Sequence, residues 1–153
     1  MSLAIVRPDA AGALREARAL AAELPGHLRY HDARHTFDEV LPAARRLAED
    51  LGSGPRERDR IEAAVAFHDL GFLTTRVEHE PAGVARARRV LPALGYDADD
   101  VEAIAGMILA TRLPQRPVTP SERIVADADL AVLASPDFLR RNEDLRLELA
   151  HAG

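Results

Sequence analysis

The sequence contains no cysteine, no tryptophan and no lysine. Without cysteine it can form no disulfide, no thiolate metal site and no thiol nucleophile. Its aromatic residues are four Phe and two Tyr, so a core has to be built from Leu, Ala, Val and Ile. Such a core favours packed helices over aromatic-rich sheets. All 20 basic residues are Arg, which reads as codon bias in a GC-rich genome and carries no mechanistic weight. The formal charge is −5, with no basic stripe and few rings to stack on bases, so no nucleic-acid partner is expected. No apolar run approaches the ~20 residues of a membrane span. The N-terminus shows no basic segment followed by a sustained apolar one, so no signal peptide is read. The default is a soluble cytoplasmic protein without a membrane partner.

Apolar residues make up 47% of the 153-residue chain, enough for one globular domain over residues 1–153. The patterning predicts an all-α bundle of six to seven helices. The first spans 9–24, with Asp9 as cap and Leu14, Ala17, Leu20, Ala21 and Leu24 on one face. After a polar connector, a second helix starts near His35 and turns Phe37, Val40, Leu41, Ala44, Leu47, Ala48 and Leu51 inward. Pro42 should kink it or mark a late start. The third is expected over about 56–70, followed by an irregular stretch over 72–79. A fourth runs from Pro81 to about Leu94, and a fifth, starting at Asp97, Asp99 or Asp100, includes Leu109. After a proline-broken loop, a sixth runs from Ser121 through Leu133. A last helix follows Asp137 to about Ala150. No strand-like alternation or repeat stands out.

The third helix is strongly apolar and ends in His68-Asp69, with Gly71 close behind. His68 falls at helical spacing from Ile61, Ala64 and Val65, on or near the buried face. A buried charge is costly unless it is paired or metal-bound, so these two side chains call for a partner. Candidate partners are His31, His35, His79, Asp127 and Asp129. Imidazoles and carboxylates without thiolates suit Mn, Fe, Ni, Co or Zn at a catalytic site. One assembly is local: His31 and His35 stand at i and i+4, as in the zinc-protease motif, but the shorter Asp32 occupies the base position. The other is dispersed, with His35, the His68-Asp69 pair and a late Asp converging from three helices.

In that second arrangement the sequence resembles the HD-domain superfamily of metal-dependent phosphohydrolases. Four segments carry the resemblance in order: Tyr30-His31-Asp32-Ala33-Arg34-His35-Thr36, Ala66-Phe67-His68-Asp69-Leu70-Gly71-Phe72, Ile108-Leu109-Ala110-Thr111, and Ala126-Asp127-Ala128-Asp129-Leu130. It covers roughly residues 27–150. It implies one divalent transition metal ion held by His35, His68, Asp69 and either Asp127 or Asp129. Helical phase supports both late residues: Asp129 shares a face with Val125 and Leu133, Asp127 with Ile124 and Leu130. The Ala-Asp-hydrophobic pattern of other family branches favours Asp129. After Asp129 the sequence is Ala131-Val132-Leu133-Ala134, where the family often has Asp-x-Leu-Gly. Relatives also often add another helix after the position of Leu149, and a partner chain in a homodimer is one way to supply what it encloses.

The resemblance implies hydrolysis of a phosphomonoester or phosphodiester, with a nucleotide among the candidates. A metal-activated water would attack, and Asp69 would orient or deprotonate it. His31, His79, Glu80, Arg34 and Arg112 are candidates for substrate contact, with Arg76 as a further phosphate-facing residue. Thr111 is expected to cap or pack, and His27 and His151 to lie on the surface. The alternative is a weakly active or silent module that binds a nucleotide and signals. An HD-type oxygenase would need two irons and more ligands.

Overall fold

The computed structural model describes residues 7–153. Residues 1–6, on which the reading of no signal peptide partly rests, lie outside the described residues. The described residues form seven α-helices with short π and 3-10 segments between them and no strand. None of the helices is long and apolar enough to cross a membrane.

Helix α1 (Ala10–Ala21) starts where Asp9 accepts a hydrogen bond from the Gly12 amide at 2.8 Å. It buries Ala13, Ala17 and Ala21, a stripe of small side chains that lets it lie close to α3. Leu14, Leu20 and Leu24 pack at its flanks, and turns take over after Ala21.

The chain becomes helical again near His35, but His35–Val40 is π-helical, with the Leu41 amide bonded to the Thr36 carbonyl. Pro42 accounts for the wider turn. It has no N–H to give the carbonyl four residues back, and a π turn shifts the register past that gap. Helix α2 (Leu41–Asp50) then buries Leu41, Ala43, Ala44 and Ala48. Leu51, expected to face inward, is 67% exposed because α2 stops one residue before it.

Helix α3 (Pro55–Phe67) is the axis of the bundle. Ile61 and every residue from Ala63 to Phe67 are buried, and α1, α2, α4, α5 and α6 all meet it. Its second half, apolar on all sides from Ala63 to Phe67, is the part surrounded by other helices. It ends at Phe67, so His68 and Asp69 emerge from its C-terminus rather than from its interior. The stretch expected to be irregular begins with a 3-10 turn, Leu70–Leu73.

Helix α4 (His79–Val90) holds Pro81 in its first turn and passes into a 3-10 turn, Leu91–Leu94. Gly95 closes that turn at φ 84°, a conformation open to glycine at little cost. Reciprocal side-chain caps start α5 (Ala98–Leu109) and α6 (Pro120–Asp129), through Asp97 with Asp100 and Thr119 with Glu122. Helix α6 ends at Asp129, short of the expected Leu133, and a 3-10 turn, Ala131–Ala134, leads to α7 (Phe138–His151).

Candidate metal centre

Four elements deliver the site. His35 opens the π turn, His68 and Asp69 follow α3, Asp129 ends α6, and His79 and Glu80 start α4. Close packing of α4 depends on Gly71. A Cβ there would overlap the His79 carbonyl and crowd the Gly83 amide. Glu78, just before α4, takes the left-handed conformation at φ 55° as the chain turns into that helix.

One ligand atom each from His35, His68 and Asp129 falls within 4.8 Å of the others. Asp129 Oδ1 lies 3.0 Å from His35 Nε2 and 3.3 Å from His68 Nε2. Asp69 is outside that group of three, but its Oδ2 lies 3.1 Å from His68 Nε2 and 3.7 Å from His35 Nε2. Its other oxygen faces His79 Nε2 at 3.5 Å, and Glu80 Oε1 lies 3.4 Å from the same nitrogen.

His68 Nε2 and Asp69 Oδ2 are buried without a hydrogen bond, because their close approach is out of line for one. Two unsatisfied polar atoms in so small a space are costly. A cation shared with His35 Nε2 and Asp129 Oδ1 would satisfy both, so the residues present fit a divalent metal. The opposite ring nitrogens are already held. His68 Nδ1 donates to the Val65 carbonyl at 2.6 Å and His35 Nδ1 to Glu39 at 3.2 Å, which leaves both Nε2 atoms for the centre.

Electrostatics reinforce the grouping. Burial pulls His35 down, but the carboxylates of Asp129 and Glu39 outweigh it and push the imidazole up to about 9. His68, also opposed by burial, is held well above its ordinary value by Asp69 and Asp129. Burial raises the two carboxylates, while the imidazoles hold Asp69 well below, and Asp129 below, the usual carboxylate range. A proton and a cation compete for the same Nε2 lone pairs.

Asp69 and Asp129 line a cleft of about 520 Å³, while His35 and His68 are buried and do not reach it. His31, His79 and Glu80 also line it, together with the exposed Arg76 and Arg112 and with Leu113, Leu130, Leu145 and Leu149. His31 and His79 are spaced by the Phe72 ring, whose centroid lies 4.6 Å from one and 3.9 Å from the other. The Thr111 hydroxyl donates to the Ile108 carbonyl at 2.8 Å, a packing role. His27 and His151 are exposed and stack on each other.

Three residues singled out in the sequence stand apart from the ligand group. Asp127 is exposed on α6 and is absent from the group. Arg34 lies outside the cleft, 3.7 Å from Glu39 and 3.8 Å from Asp137. His31 does not pair with His35 as a protease-type motif. Its Nδ1 contacts Glu148, and Asp32 caps the His35 amide at 2.9 Å.

Residues 33–131 match the family model of the HD domain. The chain belongs to the HD-domain family. The fold of this HD domain is also similar to the crystal structure of a predicted HD superfamily hydrolase from an uncultured Thermotogales bacterium. The match has 25% sequence identity and a TM-score of 0.61, over 76% of this chain and 66% of that one. The HD chain thus spans just under two thirds of that relative's length. A comparison with curated protein sequences finds no match.

Three residues behind the site were not picked out by pattern: Glu39, Arg141 and Glu148. Glu39 had a readable signal, a carboxylate at i+4 from His35. The other two sit on α7, beyond the stretch matched by the family model, and look like solvent-facing charges in sequence.

Proposed function

We propose that the protein is a metal-dependent phosphohydrolase acting on a phosphomonoester or phosphodiester, with nucleotides among the candidate substrates. Membership of the HD-domain family and similarity to the Thermotogales hydrolase support this reading. The observation that carries it is the convergence of His35, His68 and Asp129, with His68 Nε2 and the adjoining Asp69 Oδ2 buried without hydrogen bonds, at an open cleft that Asp69 and Asp129 line.

His35, His68, Asp69 and Asp129 would hold one divalent ion, of Mn, Fe, Ni, Co or Zn character by donor set. When bound, such a metal supplies Lewis-acid chemistry, activating water and polarising phosphoryl oxygen. Asp69 spans the ligand atoms and the His79 side of the cleft, a position from which a carboxylate can orient an attacking water and accept its proton. Arg76 and Arg112 lie where a phosphate entering the cleft can pair with them. Arg112 has to exchange its present contact with Glu78, at 3.1 Å, for that pairing. His31 and His79 line the approach, and the leucine walls shed water from the organic part of a substrate.

The test is turnover of a broad phosphoester panel, nucleotides included, by Mn²⁺-loaded protein. Activity that chelation removes and that His68→Ala lacks supports the proposal. Loaded protein that is inactive across the panel, and indistinguishable from His68→Ala, overturns it. Nucleotide-induced thermal stabilisation without turnover would favour the silent signalling module.

A further inference from the structure

Helix α7 has only two buried residues, and both are charged: Arg141 and Glu148, each 1% exposed. Large apolar side chains on the same helix stay largely outside, Leu139 at 78% and Leu149 at 56% exposure. An ordinary terminal helix docks through an apolar stripe. This one docks through ionic groups seven positions apart, both directed at the segment that leads into His35.

Every nitrogen of the Arg141 guanidinium has a neighbour. One terminal nitrogen donates to the Arg29 carbonyl at 3.0 Å and to Asp144 at 2.8 Å. The other donates to the Tyr30 carbonyl at 2.8 Å. The third, Nε, lies 2.8 Å from Glu39 Oε1, an ion pair out of line for a hydrogen bond. Glu39 turns its other oxygen to His35 Nδ1. A buried cation therefore stands behind the carboxylate that stands behind an imidazole of the metal group. Glu148 ties α7 to the same segment by a separate route, accepting from the Tyr30 and His31 amides at 2.8 and 3.0 Å and contacting His31 Nδ1. It does not touch Glu39.

We propose that Arg141 is a positioning residue for the metal centre: through Glu39 it fixes the tautomer and orientation of His35. The inference rests on the reading of His35 as a metal ligand. Outer-shell partners of this kind hold a ligand histidine in its binding geometry, and their loss typically lowers metal affinity about 10- to 100-fold. Without Arg141, Glu39 loses its nearer cation and keeps only the more exposed Arg34, at 3.7 Å, so its carboxylate is held less firmly toward His35. Helix α7 lies outside the stretch matched by the family model, so family membership does not by itself assign this support.

Isothermal titration of the full chain with Mn²⁺ tests it, alongside urea unfolding of the metal-free protein. Arg141→Met should bind Mn²⁺ about 10- to 100-fold more weakly than wild type. Glu39→Ala should match that loss. Glu39→Gln should recover part of the affinity, since an amide oxygen still accepts from His35 Nδ1. Glu148→Gln loosens the same helix, so it should lower stability while its Mn²⁺ affinity stays close to wild type. Wild-type affinity in Arg141→Met and Glu39→Ala overturns the proposal. So does an equal loss in Glu148→Gln, which would make docking of α7 the whole effect. If Arg141→Met does not fold, Arg141→Lys takes its place: its ammonium cannot reach Glu39 and the Arg29 and Tyr30 carbonyls together as the planar fork does, so weaker Mn²⁺ binding supports the proposal and wild-type affinity overturns it. Failure of the wild-type protein to bind Mn²⁺ overturns the metal reading itself, an outcome distinct from loss of Arg141's role alone.

Discussion

Asp127 and Asp129 stand two positions apart on α6 and should behave very differently. Asp129 contributes an oxygen to the group with His35 and His68, whereas Asp127 is exposed. Asp129→Ala should abolish measurable Mn²⁺ binding. Asp127→Ala should leave it unchanged and shift unfolding free energy by no more than about 0.5 kcal/mol, as expected of a surface substitution. Titration calorimetry and urea unfolding of the two variants check this, and weaker binding in Asp127→Ala would reverse the assignment. Sequence phase could not choose between them, because both had apolar neighbours three or four residues away. The neighbours on the far side, Leu130 and Leu133, lie beyond the end of α6 and are 36% and 61% exposed. The near-side neighbours, Ile124 and Val125, are both buried and so did not separate the two either.

At the scale of the element, legibility depended on whether a residue's environment was local. The helices were readable from period and caps, and so were His35, His68 and Asp69 as a set, because family-like segments place them in order. The π turn before Pro42, the early end of α3 and the 3-10 turn after it were not, since each is set by packing against another element. Gly71 shows how. Its φ is not among the left-handed ones; what it supplies is room for the start of α4. Gly71→Ala forces a methyl group into the His79 carbonyl, and the backbone there has to move. The expected cost is on the order of 3 kcal/mol, at the upper end for overpacking. His79 and Glu80 should shift with α4. Urea unfolding gives the cost, and a stability within about 0.5 kcal/mol of wild type would show that α4 yields without strain. Arg141 and Glu148 were illegible for the same kind of reason. Their partners at Arg29 to His31 are more than a hundred positions away, and on a charged helix nothing local marks them as buried.

For the molecule as a whole, acid sensitivity should have a source separable from the metal centre. At the other end of α3, Arg56 and Arg60 donate to Asp100 Oδ1 at 2.8 and 2.7 Å. This joins α3 to the start of α5, roughly 12–18 Å along the helix from His68. Asp100 is 1% exposed. Burial alone would raise its carboxyl, but the two guanidinium groups outweigh burial and hold it below its ordinary value. A carboxylate lowered in the folded state binds its proton more readily when unfolded. Its contribution to stability is therefore complete above the unfolded value of about 4 and is lost as the pH falls through the lowered folded value. Asp100→Asn keeps an oxygen for the Asp97 amide but has no charge to lose. At pH 7 it should be less stable by about 1–2 kcal/mol, a charge-assisted bond discounted because Arg56 is half exposed. That deficit should stay constant down to about pH 5 and narrow below about pH 4. Urea midpoints of both proteins between pH 3 and pH 7, measured without metal, give the comparison. A gap that widens toward acid would reverse the sign and remove Asp100 as a source of acid sensitivity.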